Sequence, residues 1–196
     1  MTMKIRTLPL ILLTMISSLC QAEWLLDEKN SSLNFLTTKN SHITETSSFT
    51  HLSGELSEKG KATLHIDLNS INTRIPLRDE RIRKILLNTE KYPNAEIQVN
   101  VDNKQLQNLL VGQSLQQNIA ASLNLQGKTI NIEANVSIFR DENGAIHVTT
   151  TAPVLLDMVA LALDQGVEQL RELAKLNNIS YMVPVTFNLI YNPLPV

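Results

Sequence analysis

The chain has 196 residues, of which 43% are hydrophobic and 18% are charged. That length allows one domain with a core of its own, and that composition excludes an intrinsically disordered protein. The 17 basic and 19 acidic side chains give a net charge of −2, so the chain has no positive field that would hold nucleic acid.

The N-terminal segment has the order of a secretory signal peptide. Two basic residues precede an apolar stretch over residues 8–16, which is too short for the ~20 residues of a membrane-spanning helix. Small residues at Cys20 and Ala22 predict cleavage after Ala22, which makes residues 1–22 a signal peptide and the protein an exported one. Lipoprotein processing at Cys20 and a retained anchor helix are the alternatives.

Alternating apolar and polar residues dominate residues 23–196. Successive side chains of a strand point to opposite faces of a sheet, so each alternating segment has one dry face and one wet face. The clearest segments are 62–68, 95–101, 130–138 and 183–191, and the weaker ones are 33–37, 49–56, 121–125 and 146–150. Together they predict an antiparallel sheet that curls around a core.

Turn and helix signals lie between these strands. Gln126-Gly127 and Asn143-Gly144 favour tight hairpin turns, and residues 103–110 are expected to add one helical turn. Helical spacing predicts two short amphipathic helices, with Asp164 as the cap of the second. The first covers residues 76–89 with Ile82, Ile85 and Leu86 on its apolar face, and the second covers 166–176 with Val167, Leu170, Leu173 and Ala174.

The predicted architecture is a single, mainly β domain over residues 23–196. It is a lipocalin-like antiparallel β-barrel in which the two short amphipathic helices act as lids or plugs. A barrel of about eight strands is just wide enough to fill itself with side chains or to hold one small ligand. The inward-facing residues are mainly aliphatic, which leaves room more readily than a ring-filled interior would.

The chain carries no familiar catalytic signature. It lacks a nucleophile elbow, a zinc-protease helix, a phosphate-binding loop and a dinucleotide fingerprint. We therefore predict a protein that is not an enzyme, with no catalytic residue, no metal ligand and no cofactor. A metal site at His65 and His147 is the alternative, but histidines on the wet faces of strands are more often solvated.

Five basic residues cluster at the predicted first helix: Arg74, Arg78, Arg81, Arg83 and Lys84. One interpretation is a solvated helix face with internal ion pairs, because Asp79 and Glu80 lie among the basic residues. The other is a site for an anionic headgroup beside an apolar cavity, since guanidinium groups bind phosphate bidentately. The sequence favours the first interpretation and leaves the second open.

Several spaced blocks resemble the YceI-like proteins. They are Trp24, Asp27 and residues 32–35, the segment 61–73, residues 78–81 with Tyr92-Pro93, the hairpin 123–128, and residues 166–174 followed by 183–187. The resemblance implies an extended lipocalin-like barrel in the periplasm that binds long-chain amphiphiles such as polyisoprenoids inside, without a catalytic site. Residues 86–88 and 155–158 depart from the family pattern by carrying aliphatic side chains where relatives often carry phenylalanine.

These observations predict a non-catalytic periplasmic protein that holds an isoprenoid (polyprenyl or quinone-like) or fatty-acyl amphiphile inside the barrel. Arg74, Arg78 and Arg81 are expected at the mouth of the cavity. The residues expected to line it are Phe35, Phe49, Leu64, Ile66, Ile97, Val99, Leu123 and Phe187. Transient contact with a membrane surface and formation of a homodimer are open.

Two other classes compete with this prediction. A solid-core stress or scaffold protein would act through a surface partner and would have no interior void larger than a few waters. An outer-membrane barrel would also alternate, but it needs aromatic girdles at both interfaces. One Trp, three Tyr and four Phe are too few to supply them.

Overall fold

The computed structural model describes residues 23–57, 59–101 and 103–195, so the predicted signal peptide over residues 1–22 lies outside the described part. Within these ranges the chain forms twelve strands. They are β1 (Trp24–Leu26), β2 (Ser32–Lys39), β3 (Ile43–Phe49), β4 (Leu52–Leu56), β5 (Lys61–Asp67), β6 (Ile71–Asn72), β7 (Asn94–Asn100), β8 (Ser114–Leu125), β9 (Lys128–Arg140), β10 (Ile146–Thr150), β11 (Val154–Asp157) and β12 (Met182–Pro193).

Eight of these strands close into an antiparallel barrel. Their order is β1-β4-β5-β7-β8-β9-β10-β12, and β12 pairs back to β1. Trp24 seals the closing seam, because it pairs with Leu56 on one side and Pro193 on the other. Its indole Nε1 also donates a hydrogen bond to the carbonyl oxygen of Gly144 at 3.0 Å.

The remaining four strands extend the wall along the N-terminal half of β12. That half pairs with β11 on one side and with β2 on the other, while the C-terminal half pairs with β10 and β1. From β2 the sheet continues through β3 to β6. The barrel is therefore prolonged at one end by a second, open tier of strands.

Helices cover this open tier. Helix α1 (Pro76–Arg81) runs directly into a wider π-helical turn (Ile82–Leu87), and helix α3 (Asp164–Leu173) packs against that turn. Helix α2 (Asn103–Asn108) lies between β7 and β8, and single 3₁₀ turns occur at Glu28–Asn30 and Leu68–Ser70. Among the described residues, no helix is both long and apolar enough to cross a bilayer.

The mainly β barrel, its four clearest strands and both hairpin turns are confirmed. The predicted segments coincide with β5, β7, β9 and β12 to within two residues at each end. At the β8–β9 turn Gln126 and Gly127 have φ of 53° and 76°, the two positive values that a type I′ turn requires. The predicted helical turn near residue 103 is α2.

The strand predicted over residues 49–56 is wrong. Phe49 ends β3, residues 50 and 51 leave the sheet, and β4 begins at Leu52. β3 was not predicted, because Glu45 and Ser47 occupy two of its cavity-facing positions and leave Phe49 as the apolar one.

Both predicted helices need correction. The π-helical turn places Ile82, Leu86 and Leu87 in the cavity wall, because a wider turn moves the apolar face away from the i, i+3, i+4 spacing that included Ile85. In α3, Leu173 is exposed rather than packed, and Asp164 is the first helical residue and makes no capping hydrogen bond.

Candidate ligand cavity

A cavity of about 470 Å³ lies where the barrel meets the open tier of strands. Its walls come from the inner faces of β2, β3, β7 and β12, from β11, and from α1 and α3. Phe35 and Phe49 face each other across the β2–β3 pair with their ring centroids 5.5 Å apart. We call this space the outer chamber.

A second cavity of about 100 Å³ lies deeper in the barrel, and we call it the inner chamber. Ile97, Ile132, Val154 and Phe187 contribute to the walls of both chambers, so they form the boundary between them. Together the chambers make an elongated apolar space, many times the roughly 30 Å³ that one water occupies in the liquid. The interior is therefore not solid.

The structure brings ten of the eleven predicted site residues to this space. Ile97 and Phe187 lie at the boundary, and Leu64 and Val99 line the inner chamber. The outer chamber is lined by Phe35, Phe49, Ile66, Leu123, Arg78 and Arg81. Arg74 lies outside both walls, where its Nη2 donates to the backbone carbonyl oxygen of Thr46 at 2.9 Å.

Many residues that line the outer chamber were not predicted from the sequence. Leu86, Val167 and Leu170 come from the two helices, and Leu156 and Met158 come from β11 and the turn after it. The helical residues carried a detectable signal, since they lie on apolar faces, but the sequence does not say where a helix docks. Leu86 and Leu156 belong to the two segments that depart from the family pattern, so both departures fall in the cavity wall.

The outer chamber opens to solvent at a mouth whose apolar residues are Ile75, Leu77 and Ala174, which line the chamber and are also exposed. Four charged side chains also line this end of the chamber. They are Lys39, Glu45, Arg78 and Arg81. The mouth is thus amphipathic, and the rest of the cavity is almost wholly apolar.

Glu45 is paired with two cations at the mouth. Its Oε2 accepts from Lys39 Nζ at 2.8 Å and from Arg78 Nη1 at 2.6 Å. The bonds from Lys39 and Arg78 hold the pKa of Glu45 below its ordinary value, so this carboxylate stays charged. Within the part of the chain that is described, Arg81 makes no ion pair and no hydrogen bond through its side chain, and it leaves the mouth with excess positive charge.

The approach to α1 is fixed by a buried carboxylate. Asp79 Oδ1 accepts from the backbone N–H of Thr73 at 2.8 Å and from the Thr73 hydroxyl at 2.5 Å. Arg78 Nη2 donates to the carbonyl oxygen of Thr73 at 2.7 Å. The hydrogen bonds of Asp79 and Arg78 both join helix α1 to Thr73. The short segment between Thr73 and Arg78, which carries Ile75 and Leu77, is therefore held in place.

The two histidines considered as a metal site lie apart in the barrel. His65 is on β5, opposite Glu96 of β7, and His147 is on β10, where its Nε2 lies 3.1 Å from Asp141 Oδ2. Among the described residues, no three potential metal-ligating side chains come together.

The chain is similar to a known protein family and to solved structures. A family model described as a YceI-like domain matches residues 24–191. A solved polyisoprenoid binding domain from Saccharophagus degradans, implicated in plant cell wall breakdown, is 38% identical with a TM-score of 0.85, over 89% of this chain and 100% of that chain. No curated protein matches the chain.

Two more distant solved structures share the fold. BcnA of Burkholderia cenocepacia is 14% identical with a TM-score of 0.63, over 84% of this chain and 98% of that one. A YceI protein of Campylobacter jejuni is 14% identical with a TM-score of 0.52, over 76% and 85%. At this identity the likeness concerns the fold alone.

Proposed function

The chain belongs to the YceI-like family, and from that membership together with its cavity we propose that it is a non-catalytic periplasmic protein that binds an isoprenoid or fatty-acyl amphiphile. The 38% identical relative is a polyisoprenoid binding domain, which supports an isoprenoid chain as the ligand. The signal-peptide pattern of residues 1–22 supports the periplasm.

The observation that carries this proposal is the two-chamber apolar cavity. A volume of about 470 Å³ lies within the ~300–1,000 Å³ that is usual for small-molecule sites. The inner chamber adds about 100 Å³ beyond the boundary at Ile97, Ile132, Val154 and Phe187. Burial of a hydrocarbon chain there contributes roughly 25 cal/mol for each Å² removed from water, so affinity comes from contact area rather than from directed bonds.

The distribution of charge indicates how the amphiphile lies. The chamber walls offer almost nothing polar, whereas Arg78, Arg81 and Lys39 are concentrated at the mouth. Burying an unpaired polar headgroup in the deep end would cost several kcal/mol. We therefore place the hydrocarbon tail in the chambers and the polar head at the mouth, where guanidinium groups can hold oxygen atoms.

The direct test is native mass spectrometry of the protein purified from its own periplasm, followed by solvent extraction of the bound molecule. We expect a polypeptide that begins at Glu23 and carries an adduct that extracts as a prenyl or acyl chain. A polypeptide found only in the cytoplasm with residues 1–22 intact would overturn the location. An apo mass that also resists loading with quinone, polyprenyl phosphate and fatty acid would overturn the ligand class.

A paired substitution on β7 tests the cavity itself. Ile97→Asp with Val99→Asp places two charges in the chamber walls, and Gln98→Asp with Asn100→Asp places two charges on the outer face of the same strand. We expect the first variant to lose ligand uptake and the second to retain it, with circular dichroism to confirm that each is folded. Equal uptake by two folded variants would show that the ligand lies elsewhere.

A further inference from the structure

A bilayer is the natural store of an insoluble amphiphile, so the surface around the mouth bears on how the ligand is collected. Ile75 and Leu77 protrude at that mouth with 47% and 56% of their surface exposed. Exposed apolar side chains gathered at an opening mark an interaction surface, whereas single scattered ones need no explanation.

This apolar tip is rigid rather than loosely packed. Pro76 begins α1 between Ile75 and Leu77, and the carbonyl oxygen of Ile75 accepts from the backbone N–H of Arg78 and of Asp79. The backbone N–H of Thr73 donates to Asp79, and Arg78 donates to the carbonyl oxygen of Thr73, so the residues on both sides of the tip are joined. Because the tip is held in place, Ile75 and Leu77 stay at the mouth, where they line the chamber and remain exposed.

The segment that carries the tip is basic. Residues 74–84 contain five basic and two acidic side chains, in a protein whose net charge is −2. Of the two acidic side chains, Asp79 is buried against Thr73 and Glu80 is paired with Lys84 at 2.9 Å. Glu45 at the mouth pairs with Lys39 and Arg78, and Glu168 and Glu172 of α3 both pair with Arg171.

An exposed apolar tip on a basic segment is complementary to the surface of a bilayer that contains anionic lipid. Resting on the function proposed above, we infer that the mouth of the cavity is a docking face for an anionic phospholipid bilayer, with Ile75 and Leu77 entering the interface. The headgroups are then held by the basic residues of 74–84, and the mouth opens directly onto the acyl chains from which the ligand is drawn.

The chain supplies a matched control at the other end of the barrel. Leu110 has 62% of its surface exposed, close to the value for Leu77. It follows α2, whose Leu106 lines the inner chamber, so Leu110 lies at the end away from the mouth. A charge at Leu110 changes the surface of the protein as much as a charge at Leu77 does, but at the wrong end for docking.

The test is flotation of the full exported chain, free of ligand, with vesicles of phosphatidylethanolamine and phosphatidylglycerol, and with vesicles of phosphatidylcholine. We expect the wild type to float with the anionic vesicles and not with the neutral ones.

Leu77→Asp should weaken binding about tenfold, because a charge replaces an inserted apolar side chain. Arg83→Gln with Lys84→Gln should weaken it about fivefold for each cation removed and reduce its salt dependence. Leu110→Asp should match the wild type.

Three results would overturn docking on a bilayer. They are wild-type protein that does not float with anionic vesicles, Leu77→Asp that floats as well as the wild type, and Leu110→Asp that loses as much binding as Leu77→Asp. Sedimentation showing a wild-type dimer and a Leu77→Asp monomer would instead assign the tip to a second copy of the chain, which also overturns it.

Uptake of a prenol from detergent micelles separates this inference from the proposed function. Protein that loads from micelles but does not bind vesicles keeps its ligand-binding function and loses the docking face. Protein that binds vesicles but takes up no prenol, quinone or fatty acid keeps the docking face and loses the proposed function.

Discussion

Asp79 and Glu80 are adjacent carboxylates with different surroundings. Asp79 is buried and accepts two hydrogen bonds from Thr73, whereas Glu80 is exposed and pairs only with Lys84, one helical turn away. The sequence favoured a solvated helix face on which both carboxylates form ion pairs. Only Glu80 fits that description, because only the fold brings Thr73 onto the Asp79 side chain.

Removing each carboxylate in turn should separate the two roles. Asp79→Ala leaves the buried N–H and hydroxyl of Thr73 without an acceptor, at about 1–3 kcal/mol for each group. We expect a loss of about 2–4 kcal/mol in the free energy of unfolding, measured by urea denaturation. Glu80→Ala is the control and should cost less than about 0.5 kcal/mol, because an exposed pair contributes little. Equal losses would contradict the buried role of Asp79.

Tyr191 offers a second prediction, because its phenol lies in the wall of the inner chamber with only 4% of its surface exposed. Its hydroxyl has no hydrogen-bond partner among the residues that the structure describes. Tyr191→Phe should therefore raise the free energy of unfolding of the ligand-free protein, by about 1 kcal/mol. Thermal denaturation at neutral pH measures this. A clear loss of stability would show that the hydroxyl is bonded.

The pH dependence of Tyr191 has a definite sign. Burial raises the pKa of its phenol above the ordinary value of 10.0, because the low-polarity chamber disfavours the phenolate. The stability that comes from keeping this phenol neutral is fully present below the pKa of Tyr191 in the unfolded protein. It is lost as the pH rises through the higher pKa of Tyr191 in the folded protein. We expect the wild type to lose more stability than Tyr191→Phe between pH 9 and about 12. Parallel curves for the two proteins would contradict the buried phenol.

At the scale of elements, most strands of the barrel were predictable, whereas in the second tier only β2 was predicted, as the segment 33–37. Segments such as 62–68 and 130–138 alternate cleanly, because one face meets the core and the other meets water. β3 has Glu45 and Ser47 on its cavity side, so the pattern that would identify a strand is replaced by the residues of the mouth. The site followed a similar division. The apolar residues on predicted strands were found together with Arg78 and Arg81 of α1, while the apolar wall from the helices and β11 depends on packing that only the tertiary structure fixes.

Gly166 shows how closely one such element is docked. A Cβ atom built at this position would lie 3.0 Å from Leu86 Cδ1, 3.2 Å from Leu86 Cα and 3.3 Å from the carbonyl oxygen of Ile85. Two of these atoms belong to the backbone of the π-helical turn, so they cannot move aside as a side chain does. The glycine lets α3 lie directly on that turn over the outer chamber.

Gly166→Ala should therefore reverse the usual effect of this substitution. In an open helix, alanine for glycine stabilises by about 0.5–1 kcal/mol, but overpacking here should make the net change a loss of about 1 kcal/mol or more. The exposed neighbour Gln165, replaced by alanine, is the control and should change the free energy of unfolding by a few tenths of a kcal/mol at most. A more stable Gly166→Ala protein would mean that α3 is not packed against the turn.

At the scale of the whole molecule, the barrel and the second tier divide one cavity into two compartments in series. The mouth lies at the end that is built by β2, β3, α1 and α3, and the inner chamber ends against Leu106 of α2. A chain that enters at the mouth must pass Ile97, Ile132, Val154 and Phe187 before it reaches the inner chamber. Ligand length is therefore expected to decide whether the inner chamber contributes to binding.

Ile132→Phe tests this arrangement by placing a ring at the boundary. We expect prenols long enough to reach the inner chamber to bind about tenfold more weakly to the variant, because each buried methylene that is excluded forfeits about 0.8 kcal/mol. Short prenols that fit in the outer chamber should bind as they do to the wild type.

Ile130→Phe is the matched control, since Ile130 is on the same strand but outside both walls. Displacement of a fluorescent fatty acid by a ladder of prenols, from geraniol to solanesol, measures the affinities. A uniform loss at every length would show that the ring disturbs the whole cavity, and no loss at any length would place the tail outside the inner chamber.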